Sequence, residues 1–218
     1  MKLAALTSGG KDSILAIQKA IDEGHTVTHM ITVVPENKES YMFHSANLSA
    51  VRIMAERAGM EYLEIPTAGE KETEIADMQE GIRGLETEGL IVGAIASTYQ
   101  RERGEAVCKA LGLSVFAPLW GMTPDDVVAE VASRMDARIV VTAADGLGEN
   151  VLGKKIDEDL IRVLKAVEKK RRIHIAGEGG EYESLVFNAP FFSSPVKAEG
   201  METHFEGMVG KVTYRRFW

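Results

Sequence analysis

The sequence predicts an α/β protein: a parallel β-sheet with helices on both faces, followed by a smaller C-terminal α+β region. Three observations predict it. Apolar strand-like runs alternate with helical patterns through the first half of the 218 residues. Glycines punctuate the ends of those helical patterns. The first strand-like run also leads directly into a glycine-rich turn, Ser8-Gly9-Gly10-Lys11-Asp12-Ser13, that opens a helix.

Taken in order, strand patterns fall at Lys2–Leu6, Val27–Val34, Tyr62–Ile65, Leu90–Ile95 and around Val115. Helical periodicity fills the gaps at Lys11–Glu23, Ala46–Ala58, Glu70–Thr87 and Thr98–Leu111. Gly24, Gly59, Gly89 and Gly112 stand where a left-handed residue closes a helix. Pro118-Leu119-Trp120-Gly121 interrupts the alternation, which sets an expected boundary between residues 1–120 and 121–218. Thr123-Pro124-Asp125-Asp126 starts a further helix, with Thr at the N-cap and Pro at the first position. Arg138–Thr142 reads as a strand. Asp157–Lys170 reads as a helix, with acids at its start and bases at its end to match the macrodipole. Ile173–Ala176, Leu185–Phe187 and Lys211–Tyr214 read as further strands.

The turn at Ser8–Ser13 carries the clearest chemistry. Glycines let backbone N–H groups approach an anion, and a helix N-terminus adds partial positive charge. Lys11 adds a full charge, and the Ser8 and Ser13 hydroxyls add short donors. The lysine is followed by Asp12 rather than Ser or Thr, so this is not a Walker A loop, and the glycine spacing excludes the dinucleotide fingerprint. Asp12 beside a phosphate calls for an intervening cation such as Mg²⁺; its alternative is an early-helix acid favoured by the dipole. Open sheets of this class bind ligands beyond the carboxyl ends of their strands, where this turn lies.

Four other segments are candidates. Gly93 to Ser97 ends a strand in small residues that leave room for a ligand, and Tyr99, Arg101 and Arg103 follow on a helix. Either arginine suits phosphate or carboxylate, or is simply solvated. His44 precedes a helix, as a nucleotide contact and proton carrier or as a cap. Gly177-Glu178-Gly179-Gly180-Glu181-Tyr182-Glu183-Ser184 clusters carboxylates and glycines, suited to a metal, an ammonium or a cationic substrate, or else a solvated hairpin. Asp145–Gly153 is a third glycine- and acid-rich loop, able to close a site or to run along the surface.

Composition narrows the function classes. Hydrophobic residues make up 45% and charged residues 27%, ordinary for a globular protein. The net charge of −8 disfavours a direct nucleic-acid binder, which needs a basic footprint. Cys108 is the single cysteine, so no disulfide framework or paired-cysteine sulfur relay exists. No signal-peptide pattern and no membrane-length apolar run is seen, and a cytoplasmic location is expected.

The hexapeptide at 8–13 resembles the pyrophosphate loop of the PP-loop, or N-type, ATP pyrophosphatases. Together with MFHSAN at 42–47, GAIASTYQRER at 93–103, PLWG at 118–121, ENVLGKKID at 149–157 and GEGGEYESLV at 177–186, it resembles the diphthine–ammonia ligase family within that superfamily. The resemblance runs nearly the whole chain. It implies a HUP-type nucleotide domain over 1–120 and a C-terminal substrate-binding domain over 121–218. It implies amidation of diphthine on translation elongation factor 2, with ATP split to AMP and pyrophosphate and ammonium as the nitrogen source. On that reading Ser8, Gly9, Gly10, Lys11, Asp12, Ser13, His44, Gly93, Ser97 and Arg101 hold ATP, and Asp12 holds Mg²⁺. Lys11, Asp12 and Glu183 serve catalysis. Tyr99, Arg103, Trp120, Glu178, Gly179, Gly180, Glu181, Tyr182 and Glu183 face the substrate, whose trimethylammonium suits carboxylates and an aromatic such as Trp120 or Tyr182. Oligomeric state stays open, a homodimer included. The alternatives are another N-type ligase adenylating a small carboxylate or a tRNA base, and a non-catalytic ATP- or AMP-binding protein.

Overall fold

The computed structural model describes residues 1–35, 49–68 and 71–218. Five parallel strands form the first sheet: β1 (Lys2–Leu6), β2 (Thr26–Pro35), β3 (Glu61–Thr67), β4 (Gly89–Ile91) and β5 (Ser114–Phe116), in the order β3-β2-β1-β4-β5. They are connected by α1 (Lys11–Asp22), α2 (described over 49–58), α3 (Lys71–Ile82) and α4 (Thr98–Leu111). Side chains alternate across β1, as the pleat requires. Leu3 and Ala5 join the core with α1 and α2, while Ala4 joins Ile31, Ile65, Met78, Leu90, Val107 and Cys108 on the α3–α4 side. The expected doubly covered sheet is therefore present. Its order reverses between β1 and β4, the switch point at which such sheets open a crevice.

Helices α5 (Pro124–Arg134) and α6 (Glu158–Arg171) accompany a second sheet, built from β6 (Asp136–Thr142), β7 (Tyr182–Asn188), β8 (Ala198–Glu206) and β9 (Val209–Phe217). Its pairings are antiparallel, in the order β7-β6-β9-β8. The Thr123 cap acts as read, with Thr123 Oγ1 accepting from Asp126 N at 3.2 Å; Asp157, read as the first helical residue, instead caps α6 by accepting from Leu160 N at 2.9 Å. The larger hydrophobic core is continuous from β1, α1 and α2 into α5, β6, α6, β7 and β9, so the two sheets share one interior.

Several expectations need correction. The segment read as strand Leu90–Ile95 pairs only through Ile91; beyond Val92 the chain turns away and the Ile95 N–H is taken by Glu178. The helix read over Glu70–Thr87 ends at Ile82, and Gly84 rather than Gly89 adopts positive φ there. Gly89 instead begins β4, where a Cβ would lie 2.6 Å from the Ser114 carbonyl oxygen. Ile173–Ala176 is not a strand, because it folds into a turn whose carbonyls face inward to side-chain donors. The loop Asp145–Gly153 buries Leu147 and Val151, lays Gly146 against Val167 of α6, and does not line the cavity described below. Strand β8 has no sequence counterpart: its residues from Glu199 to Glu206 are exposed, so neither face shows an apolar alternation.

Candidate active site

A cavity of about 600 Å³ opens at the switch point between β1 and β4. One wall is the Ser8–Ser13 turn. Gly9 has φ +77°, and a Cβ there would meet Val51 at 3.0 Å, so glycine is required for the turn to sit on α2. The turn is braced from beneath by Thr7. Its Oγ1 accepts from Gly9 N at 2.9 Å and pairs with Ser13 Oγ at 2.7 Å, and its carbonyl accepts from Thr32 Oγ1. Gly93, after β4, lies so close that a Cβ would fall 2.8 Å from both the N and Cα of Ser13.

The opposite wall comes from the C-terminal half. Val186 N donates to Gly9 O at 3.0 Å, and Lys11 N donates to Ser184 Oγ at 3.1 Å. Lys11 is 3% exposed. Its ammonium donates to Asp12 Oδ2 at 2.7 Å and to the Ala176 carbonyl at 2.5 Å, and lies 5.2 Å from the Tyr182 ring centre. Burial pulls this ammonium down, but Asp12, Tyr182 and Glu178 outweigh it and hold Lys11 above its ordinary value, firmly charged. Burial raises the Asp12 carboxyl, against the pull of Lys11. Asp12 Oδ1 is buried and has no hydrogen-bond partner among the described residues. Tyr182 is pushed up to about 12 by burial, and its hydroxyl donates to the Ile175 carbonyl at 2.8 Å.

The carboxylates of the 178–183 turn divide by role. Glu178 Oε1 accepts from Ile95 N at 3.0 Å, joining the turn to the chain after β4. Glu181 Oε1 accepts from His174 N at 2.7 Å and closes its own turn. Glu183 is exposed and lines the cavity. At the far end α3 and α4 contribute Glu74, Met78, Tyr99 and Arg103, beside the apolar Leu6, Ile31, Val33 and Val92.

This joint construction from both halves agrees with comparisons to known proteins. The diphthamide synthase N-terminal domain matches residues 1–115, and the diphthamide synthase C-terminal domain matches residues 123–217. The chain belongs to the diphthamide synthase family. Curated relatives named diphthine–ammonia ligase, carbon–nitrogen ligases by that name, include those of Bos taurus and Homo sapiens. Each is 32% identical over 243 residues, covering 100% of this chain and 91% of the relative. The Schizosaccharomyces pombe relative is 32% identical over 98% of this chain, which spans 38% of that longer protein. A solved structure described as a predicted subunit of tRNA methyltransferase from Methanocaldococcus jannaschii aligns over 87% of this chain and 98% of its own at 13% identity. The TM-score of that alignment is 0.47.

Within this diphthamide synthase fold, the cavity gathers Ser8, Gly10, Lys11, Asp12, Ser13, Gly93, Tyr99, Arg103, Glu178, Gly180, Tyr182 and Glu183. Gly9, Ser97, Arg101, Trp120, Gly179 and Glu181 stand outside its lining. Ser97 caps α4 by accepting from Gln100 N. Arg101 pairs with Glu105 at 2.6 Å and stacks over Trp120 at 4.4 Å, so these two side chains occupy each other. Gly179 leaves room for the Glu181 carboxylate, which a Cβ would meet at 2.7 Å. His44 lies outside the described residues. Sequence reasoning passed over Thr7 and Glu74, and gave Ser184 no role of its own within the 177–184 motif. A hydroxyl at a strand end just before a glycine pair is a usable signal for Thr7. Glu74 has none, because its place depends on how α3 packs against α4. Among the described residues no group of three or more His, Cys, Asp or Glu is placed to hold a metal, and no helix is long and apolar enough to cross a membrane.

Proposed function

We propose that this chain amidates the diphthine carboxylate of translation elongation factor 2 with ammonium, through an acyl adenylate, releasing AMP and pyrophosphate. The observation that carries the reading is a cavity walled on one side by the Ser8–Ser13 turn and on the other by the Gly177–Ser184 turn, locked together at Lys11. Family membership supports the same reaction. The Ser8–Ser13 turn and the Lys11 charge bind the β and γ phosphates, and the apolar wall of Leu6, Ile31 and Val33 receives the base.

The unpartnered Asp12 Oδ1 suits a Mg²⁺: this carboxylate would hold the ion, which would neutralise phosphate charge. A carboxylate oxygen of the substrate forms a bond to the α phosphorus as the bond to the β-phosphate oxygen breaks and pyrophosphate leaves. Ammonium releases a proton to become the nucleophile, and the exposed Glu183 carboxylate stands in the cavity to accept it. Ammonia then bonds to the acyl carbon, AMP leaves with its oxygen, and the second proton passes to solvent. A reducing, cytoplasmic compartment goes with this reading, supported by the lone buried thiol Cys108.

Incubation with ATP, ammonium and diphthine-bearing elongation factor tests the proposal. AMP, pyrophosphate and a carboxylate-to-amide mass change on the factor are the expected products. ADP as the main nucleotide product, or AMP without modification of the factor, refutes it.

A further inference from the structure

Two aromatics of the sequence reading cannot receive a quaternary ammonium as folded. Trp120 stands outside the cavity lining, and the Tyr182 ring is buried with Lys11 at 5.2 Å. The cavity offers a different set. Arg103, on α4, is 7% exposed and lines the cavity. It is ion-paired with Glu74 of α3, donates from Nη1 to the Tyr99 hydroxyl, and stacks over the Tyr99 ring at 4.6 Å. Its Nε has no hydrogen-bond partner among the described residues, an expensive state for a buried donor unless a ligand completes it. The Glu74 carboxylate keeps 26% exposure, and Tyr99 is 49% exposed at the cavity wall.

We propose that Arg103, Glu74 and Tyr99 form a subsite for a betaine, a carboxylate beside a quaternary ammonium, and that the diphthine side chain docks there. The assignment rests on the amidation reading above. A buried Arg–Glu pair is neutral as a unit, so it favours neither a polyphosphate nor a simple cation. It complements a ligand that itself carries one charge of each sign. The planar guanidinium suits the carboxylate. A trimethylammonium has no N–H to donate and is held by an aromatic face and a nearby carboxylate, which Tyr99 and Glu74 supply. The substrate carboxylate is thereby held in the same cavity as the phosphate turn, while Glu183 stays available to ammonium.

Glycine betaine serves as the free probe, and saturation-transfer NMR on the whole chain needs no turnover. Transfer to its trimethyl resonance is expected with the wild type and is largely lost in Tyr99→Leu and Glu74→Gln. No transfer in the wild type, or undiminished transfer in both variants, overturns the subsite. In the amidation assay Arg103→Lys should raise KM for the factor about tenfold or more and leave KM for ATP within about threefold. A rise confined to ATP assigns Arg103 to the nucleotide and overturns the proposal. Tyr99→Leu, at a half-exposed position, carries the same KM comparison where Arg103→Lys fails to fold. A wild type that binds betaine yet forms no amide removes the amidation reading and leaves the subsite standing.

Discussion

Replacing Lys11 by methionine should damage both stability and turnover. Methionine keeps an unbranched stem and removes only the ammonium. Two bonds are lost, at 2.7 Å to Asp12 and 2.5 Å to the Ala176 carbonyl. The larger effect is the carboxylate left without its partner. Breaking a fully buried ion pair costs about 3–5 kcal/mol. The Asp12 side chain retains 28% exposure, which water screens, so the expected loss is about 2–3 kcal/mol. In a chain of this length that is a fall in Tm of about 4–12 °C.

The pH dependence has a definite sign. Burial raises Asp12, so the folded protein holds this proton at pH values where the unfolded chain has released it. Stability from Asp12 is then gained as pH falls through the folded value and lost as it rises. Removing Lys11 takes away the opposing pull and raises that value further. The Tm gap between variant and wild type should therefore narrow as pH falls from neutral. Thermal melts from neutral pH downward, beside an assay of AMP release, give the answer. AMP formation should drop about a hundredfold or more, the scale of losing one preorganised charge contact. Coincident melts at neutral pH, or a gap that widens on acidification, refute the buried-pair reasoning. Unchanged AMP formation refutes the phosphate role.

Other substitutions separate the remaining roles. Gly93→Ala places a Cβ 2.8 Å from the Ser13 backbone, so calorimetry should show ATP binding weakened about tenfold, or about 1.4 kcal/mol; wild-type affinity in the folded variant would contradict the close-approach argument. Glu178→Ala orphans the Ile95 N–H and should cost about 1–3 kcal/mol in denaturant unfolding. Glu183→Gln should leave the melt unchanged and slow amidation about tenfold with ATP affinity retained, and equal behaviour of the two glutamate variants would remove the division of roles. Cys108→Ser should keep most activity, because burial pushes this thiol up to about 11 and leaves it protonated at neutral pH; near-complete loss in a folded variant would implicate sulfur chemistry.

The sequence by itself determined whatever depends on neighbours a few residues apart. The Ser8–Ser13 turn, the cap at Thr123, and the left-handed glycines 24, 59 and 112 are local devices, and each appears where it was read. The alternation of strand and helix signals sufficed for a parallel sheet, since helical crossovers force parallel neighbours. Tertiary structure decided what depends on partners far along the chain. Ile173–Ala176 carries a strand composition but folds as a turn, because its carbonyls are bound by Lys11 and Tyr182. Two glutamates of one short motif, Glu178 and Glu181, become backbone acceptors and leave Glu183 exposed in the cavity only when Ile95 and His174 take their places. Lys11 sits on a glycine-rich turn that reads as an exposed loop, yet it is buried, since the roof over it arrives from residues 176–184. Glu74 becomes legible only once α3 lies beside α4 and brings it to Arg103. Sequence spacing encodes short-range geometry, whereas the burial that charges, orients or silences a side chain is supplied by segments that meet only in the folded chain.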